Sequence, residues 1–208
     1  MSQSSPGTAA GSAAAPRSKL GVALAPLVPR LELDAECAVL LEGAASAEEA
    51  IARLEAAGKM IEACRVVAHS LPKREAVWWA CMCARGAPPD PVQTAADLAA
   101  LEAAEGWVRR PDEANRRAAM AAAEAAKFRS TEAWAAVGAF WSGGSMAPEG
   151  QPAVPPPEHL TGVAVSGAVV LAAVRAEVNT HAARLGRFLA SARDIGLGGA
   201  GRVPPEAA

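Results

Sequence analysis

Apolar residues recur every third or fourth position along most of the chain, the spacing of one face of an α-helix. Helix punctuation falls between these runs. Asp34 is placed to cap a short helix through about Leu41. Ser46 and Glu49 form a capping box that opens AEEAIARLEAA, with Gly58 at its C′ position. From Lys59 to Ser70, Ile61, Cys64, Val67 and Ala68 share one stripe. Pro72 opens a further helix, since proline suits a first helical turn. Asp90 and Pro91 predict the start of a long helix carrying Leu98, Leu101 and Val108, and Pro111 begins the next. Ser130 or Thr131 caps one containing Trp134, Val137, Phe140 and Trp141. Glu158 to Asp194 reads as one long helix or two in tandem. Its uncharged stretch Leu160 to Val174 predicts a central buried helix, and Leu185, Phe188, Leu189, Ala192 and Ile195 then line one side. The prediction is an all-α fold, an antiparallel multi-helix bundle or stacked helical hairpins.

Three stretches lack this periodicity. Residues 1–30 and 196–208 are rich in turn residues and predict flexible tails around one helical domain, 31–195. Between Gly143 and Pro157, eight of fifteen residues are Gly or Pro. That stretch predicts a stiff, extended arm, expected to lie against the helical body because proline lowers the entropy lost on docking. No internal repeat period emerges.

Composition narrows the field. Alanine, the best helix former, makes up more than a quarter of the 208 residues, and there is no tyrosine. A net charge of −2 argues against nucleic-acid binding by bulk charge. No basic run precedes an apolar core at the start, and Leu20 to Val28 is too short to span a bilayer. A cytoplasmic protein without a membrane span is expected. Cys37, Cys64, Cys81 and Cys83 read as buried free thiols, because the CxC pair faces different sides of a helix, about 200° apart. No metal or cofactor is expected.

The usual catalytic signatures, GxSxG, HExxH, GxxxxGK and GxGxxG, are missing, and His69, His159 and His181 lie in separate segments. Nothing argues for an enzyme. One segment breaks the pattern: LPKREAVWWACMCAR at 71–85. Its opening cations, Lys73 and Arg74, oppose the helix dipole, a cost that an acidic partner would offset, inside the protein or outside it. Trp78 and Trp79 point about 100° apart, so either the helix is nearly surrounded or one indole lies at an interface or pocket. Arg74 is spaced to lie over Trp78. A second charge cluster, WVRRPDEANRR at 107–117, is explained by helix electrostatics, with Asp112–Arg116 and Glu113–Arg117 as i,i+4 pairs.

LPKREAVWWAC, AAEGWVRRPDEANRRAA, AWAAVGAFWSGGSMAP and VPPPEHLTGVAVSGAVVLAA follow one another in this chain. Together they resemble a family of uncharacterised bacterial proteins, over roughly residues 30–195. The resemblance implies a gene setting beside type VI secretion components and carries no catalytic residues. The leading expectation is a non-enzymatic adaptor or accessory acting through protein–protein contacts, its partner a component of a secretion system. Lys73, Arg74, Trp78, Trp79 and Trp141 are the expected contact residues. The alternative is a small helical enzyme or ligand-binding protein with a pocket walled by Trp78, Trp79, Trp134 and Trp141.

Overall fold

The computed structural model describes residues 17–176 and 180–206. Ten helices follow one another among the described residues: α1 (Val28–Leu31), α2 (Ala35–Leu40), α3 (Ala47–Ala56), α4 (Met60–Ser70), α5 (Lys73–Gly86), α6 (Ala95–Arg109), α7 (Glu113–Ala125), α8 (Thr131–Phe140), α9 (Leu160–Ala173) and α10 (His181–Gly196). The fold is all-helical, and no helix among the described residues is long and apolar enough to cross a membrane.

Most caps form where the sequence puts them. Asp34, Ser46, Asp112 and Ser130 each accept a hydrogen bond from a backbone amide three residues on. Two details differ. Glu49 reaches back to the amide of Ala45, one residue before the cap. The long helix starts not at Asp90 and Pro91 but at Thr94, where a complete capping box with Asp97 satisfies two amides and outcompetes the proline signal.

Helix α8 packs against α6, α7 and α9, while α9 packs against α4 and α5, and α10 closes over α4 and α5. The alanine excess finds its reason here. Ala133, Ala135, Ala136 and Ala139 of α8 are all fully buried, so small side chains let α8 be approached from several sides. Cys64, Cys81 and Cys83 lie in the same core as free thiols, and burial pushes each of them above the ordinary thiol range. Glu158 to Asp194 resolves into two helices, α9 and α10. The buried positions of α10 include Leu185, Phe188, Leu189, Ala192 and Ile195, as its periodicity demands.

The expectation of flexible ends does not hold for residues 17–30 and 196–206; the rest of both tails lies outside the described residues. Leu20 and Leu24 are buried, and the amide of Lys19 donates to the Gly196 carbonyl at 2.9 Å. At the other end Val203 is buried, and Glu206 accepts from Arg184 at 2.8 Å. Helical periodicity cannot register such segments, because irregular chain buries single side chains without a repeat.

The Gly/Pro arm meets the body only through its first part, Ser145 to Glu149; residues 150–155 are exposed, and Val154, expected to help hold the arm, is 48% exposed. The arm folds back on itself through a 2.8 Å bond from the Met146 amide to the Val154 carbonyl. Buried Arg116 of α7 holds its root, donating to the carbonyls of Phe140 at 2.6 Å and Ser145 at 2.8 Å. Gly144, at φ +64°, leaves the space that the Arg116 guanidinium occupies; a Cβ there would fall 2.7 Å from its Nε.

Candidate functional site

Pro72 sets the first turn of α5 at the meeting point of two helix C-termini. Lys73 Nζ donates to the Ser142 carbonyl at 3.1 Å, just beyond α8, and lies 3.4 Å from Glu158. Arg74 Nε donates to the Val108 carbonyl, in the last turn of α6, at 2.6 Å. Their cost at the start of α5 is thus offset at the ends of α6 and α8, where cations suit the dipole and the last carbonyls lack helical partners. Both side chains act as braces. The expected stacking of Arg74 on Trp78 is not formed; the cation–π contact is Arg116 over Phe140, 4.4 Å from the ring centre. Arg116 pairs with Glu113 at 2.7 Å rather than with Asp112, which is engaged with Arg110.

The two adjacent tryptophans part company. Trp79 is fully buried, and its indole N–H donates to the Phe188 carbonyl at 2.8 Å. This corrects the expectation for Trp79: an interior indole presents nothing to a partner. Trp78 is half-buried, donates to the Ala200 carbonyl at 2.8 Å, and lines an open cleft with Arg74, Glu75 and Ile195. Trp141 is half-buried and meets Trp134 edge-on, with ring centres 6.3 Å apart. The tryptophans therefore do not converge on one pocket.

Replacing Lys73 and Arg74 together with alanine tests the brace. Each variant removes a charge-assisted hydrogen bond near the surface, worth about 1 kcal/mol after the relieved dipole repulsion is counted. A thermal melt should fall by several degrees. An unchanged or raised Tm would mean that the two carbonyl contacts contribute nothing.

Three features lay outside the reach of sequence reasoning. Arg175 and Glu132 form a buried ion pair at 2.9 Å. His69 and His159, ninety residues apart, line one small cleft. The third is the outer face of α9. This helix is uncharged throughout, and a helix apolar all round is ordinarily enclosed. Here Val163 is 44% exposed, Leu171 38%, and Val174, at its C-cap, 39%. The expectation of a central buried helix holds for its inner face only. Val163, Gly167, Val170 and Val174 follow the i, i+4, i+7, i+11 spacing of one stripe. Beside the stripe runs an open groove of about 330 Å³, lined by the apolar Leu31, Ile61 and Val163 and by the charged Arg30, Glu32 and Arg65.

Residues 50–196 match a family of unknown function, DUF6931. The chain belongs to that family. No curated protein matches the chain, and no solved structure does. The DUF6931 match runs from within α3 to the end of α10 and so includes the basic-tryptophan helix, the arm and the exposed α9 face. Membership therefore gives the α9 face a family frame and no activity.

Proposed function

We propose that this DUF6931 protein is a non-enzymatic adaptor or accessory that docks a partner protein on the outer face of α9. The observation that supports this reading is the uncharged stripe through Val163, Val170 and Val174, open to solvent beside a groove of mixed apolar and charged lining. An apolar strip of this kind, rimmed by polar residues, is characteristic of a contact surface. The partner that fits is an amphipathic helix: its apolar side meets the stripe, Gly167 lets the two backbones approach, and acidic residues on its flank meet Arg30 and Arg65. Trp78 and Trp141, each with part of its indole open, are the aromatic positions left for a further contact. The sequence resemblance adds the setting, a cytoplasmic accessory of a type VI secretion system.

The test is a photo-crosslinking residue at Leu171, introduced in a bacterial host carrying the native gene neighbourhood, with Val163→Asp/Val174→Asp as the companion variant. Because both valines already face water, the double variant should melt within a few degrees of the parent. Burying two valines contributes about 3 kcal/mol, so partner capture should drop about a hundredfold or more. Crosslinking that survives the double variant undiminished would overturn the reading, as would a crosslinked product containing only a second copy of this chain.

A further inference from the structure

Residues 200–206 cross a groove on the α5–α10 side of the body and are held there as a bound peptide would be. Side chains of the body take up three of their carbonyls. Trp78 Nε1 donates to that of Ala200 at 2.8 Å, the Ser191 hydroxyl to that of Gly201, and Arg187 to that of Pro204. Val203 turns inward and is 8% exposed, while Arg202, Pro204 and Pro205 face water. The valine fills a dimple that exists because position 86 is glycine. A Cβ there would collide with Val203, to which its three nearest atoms all belong. At the far end the Glu206 carboxylate accepts from Arg184 Nε and Nη2, both at 2.8 Å, and from Arg187 at 3.0 Å.

The walls are built independently of what fills them. Arg184 is 3% exposed and also donates to the carbonyls of Ala173 and, at 2.9 Å, Arg175, so its guanidinium is oriented from inside the fold. Gly86 ends α5, and Ser191 lies within α10. All five wall residues fall inside the 50–196 match to DUF6931, whereas the segment in the groove falls beyond it. That segment has no regular secondary structure, and no backbone–backbone hydrogen bond among the described residues ties it down. Side-chain donors that meet the carbonyls of a proline-containing strand, beside one apolar pocket, are the elements of extended-peptide recognition. Proline adds to this by fixing φ near about −65°, which lowers the entropy lost on docking.

We propose that this groove docks an extended segment of a partner protein with the pattern Val-Pro-x-Glu, and that the chain's own 201–206 segment occupies it in cis. The walls dictate the occupant. The glycine dimple admits one small branched side chain, and two guanidiniums call for a carboxylate three residues further on. Trp78, Ser191 and Arg187 need main-chain carbonyls, which a helix spends on its own hydrogen bonds, so the fitting partner is extended. A tethered occupant competes at an effective concentration on the order of millimolar, so the groove stays shut to partners that bind no better than the tail. None of its walls belongs to the α9 stripe, so its failure leaves the α9 reading standing.

The probe is a fluorescent peptide of residues 201–208, GRVPPEAA, titrated by anisotropy onto the full chain. Val203→Ser/Glu206→Gln empties the groove without touching its walls. The parent should bind the peptide weakly and the emptied variant at least tenfold more tightly. A second peptide that keeps only the Val-Pro-x-Glu pattern should bind within a few-fold of the first, and a scrambled one should not bind. Gly86→Ala, added to the emptied variant, fills the dimple at a helix end that suits alanine and should abolish binding. Equal affinity in parent and emptied variant, failure of the pattern peptide, binding of the scrambled one, or indifference to Gly86→Ala would each overturn the proposal. An emptied variant that no longer melts cooperatively would do so too, by making the segment an integral part of the fold. A parent that sediments as a dimer, with a monomeric Gly86→Ala form, would overturn the partner in favour of the tail of a second copy.

Discussion

Replacing Glu132 with alanine is expected to destabilise the protein by about 3–5 kcal/mol, because it strands a buried cation. Glu132 is 1% exposed and accepts from Arg175 Nη2 with both oxygens, at 2.9 and 3.0 Å. Gln93 donates to it as well, at 2.7 Å, so the carboxylate ties the loop before α6 to α8 and to the chain just after α9. With the carboxylate gone, Arg175 keeps Asp90 at 3.8 Å and the nearby charge of Asp97, neither in hydrogen-bond contact with it. The decisive comparison is the pair Glu132→Leu/Arg175→Met. Well-packed apolar residues often match or exceed a buried ion pair in stability, so the double variant should recover most of the loss in chemical denaturation. A double variant as unstable as the sum of its two single changes would show that the two side chains act independently.

Arg116→Met is expected to cost a similar amount, about 3–5 kcal/mol, with Tm falling on the order of 10 °C. The methionine keeps an apolar stem but abandons the carbonyls of Phe140 and Ser145 and removes the cation over the Phe140 ring. Beyond global stability, the root of the arm comes loose, so limited proteolysis between residues 143 and 157 should become rapid while the parent resists. Acid behaviour should change too. The hydrogen bond from Arg116 holds the Glu113 carboxyl below its ordinary value of 4.5. A depressed carboxylate stabilises the native state above the unfolded value and loses that contribution as pH falls through the folded one. The parent therefore sheds stability below about pH 4.5, and the variant should shed less there. An arm that stays protease-resistant in the variant would mean that contacts other than Arg116 hold it.

The sequence by itself determined what is local. Helices form where apolar residues recur at helical spacing and where Asp34, Ser46, Asp112 and Ser130 can cap them, since a cap and its amide lie three residues apart in one chain segment. The all-helical class and the buried thiols were legible as well. So was the tension at Lys73 and Arg74, although not its resolution. Which groups relieve it is a long-range fact: Ser142 and Val108 come to them only when α5, α6 and α8 assemble. Trp78 and Trp79 are neighbours in sequence with the same propensities, and only the placement of α10 over α5 buries one and leaves the other half open. The same limit hid the candidate sites. The uncharged run of α9 reads as interior from composition, yet the helices that pack on it cover one face and leave Val163, Leu171 and Val174 in water. Gly86 and Arg184 belong to different helices, and periodicity carries no information on which helix faces meet. Caps and stripes are set by neighbours a turn apart, whereas burial, ion pairing and clefts depend on which faces the assembled helices leave uncovered.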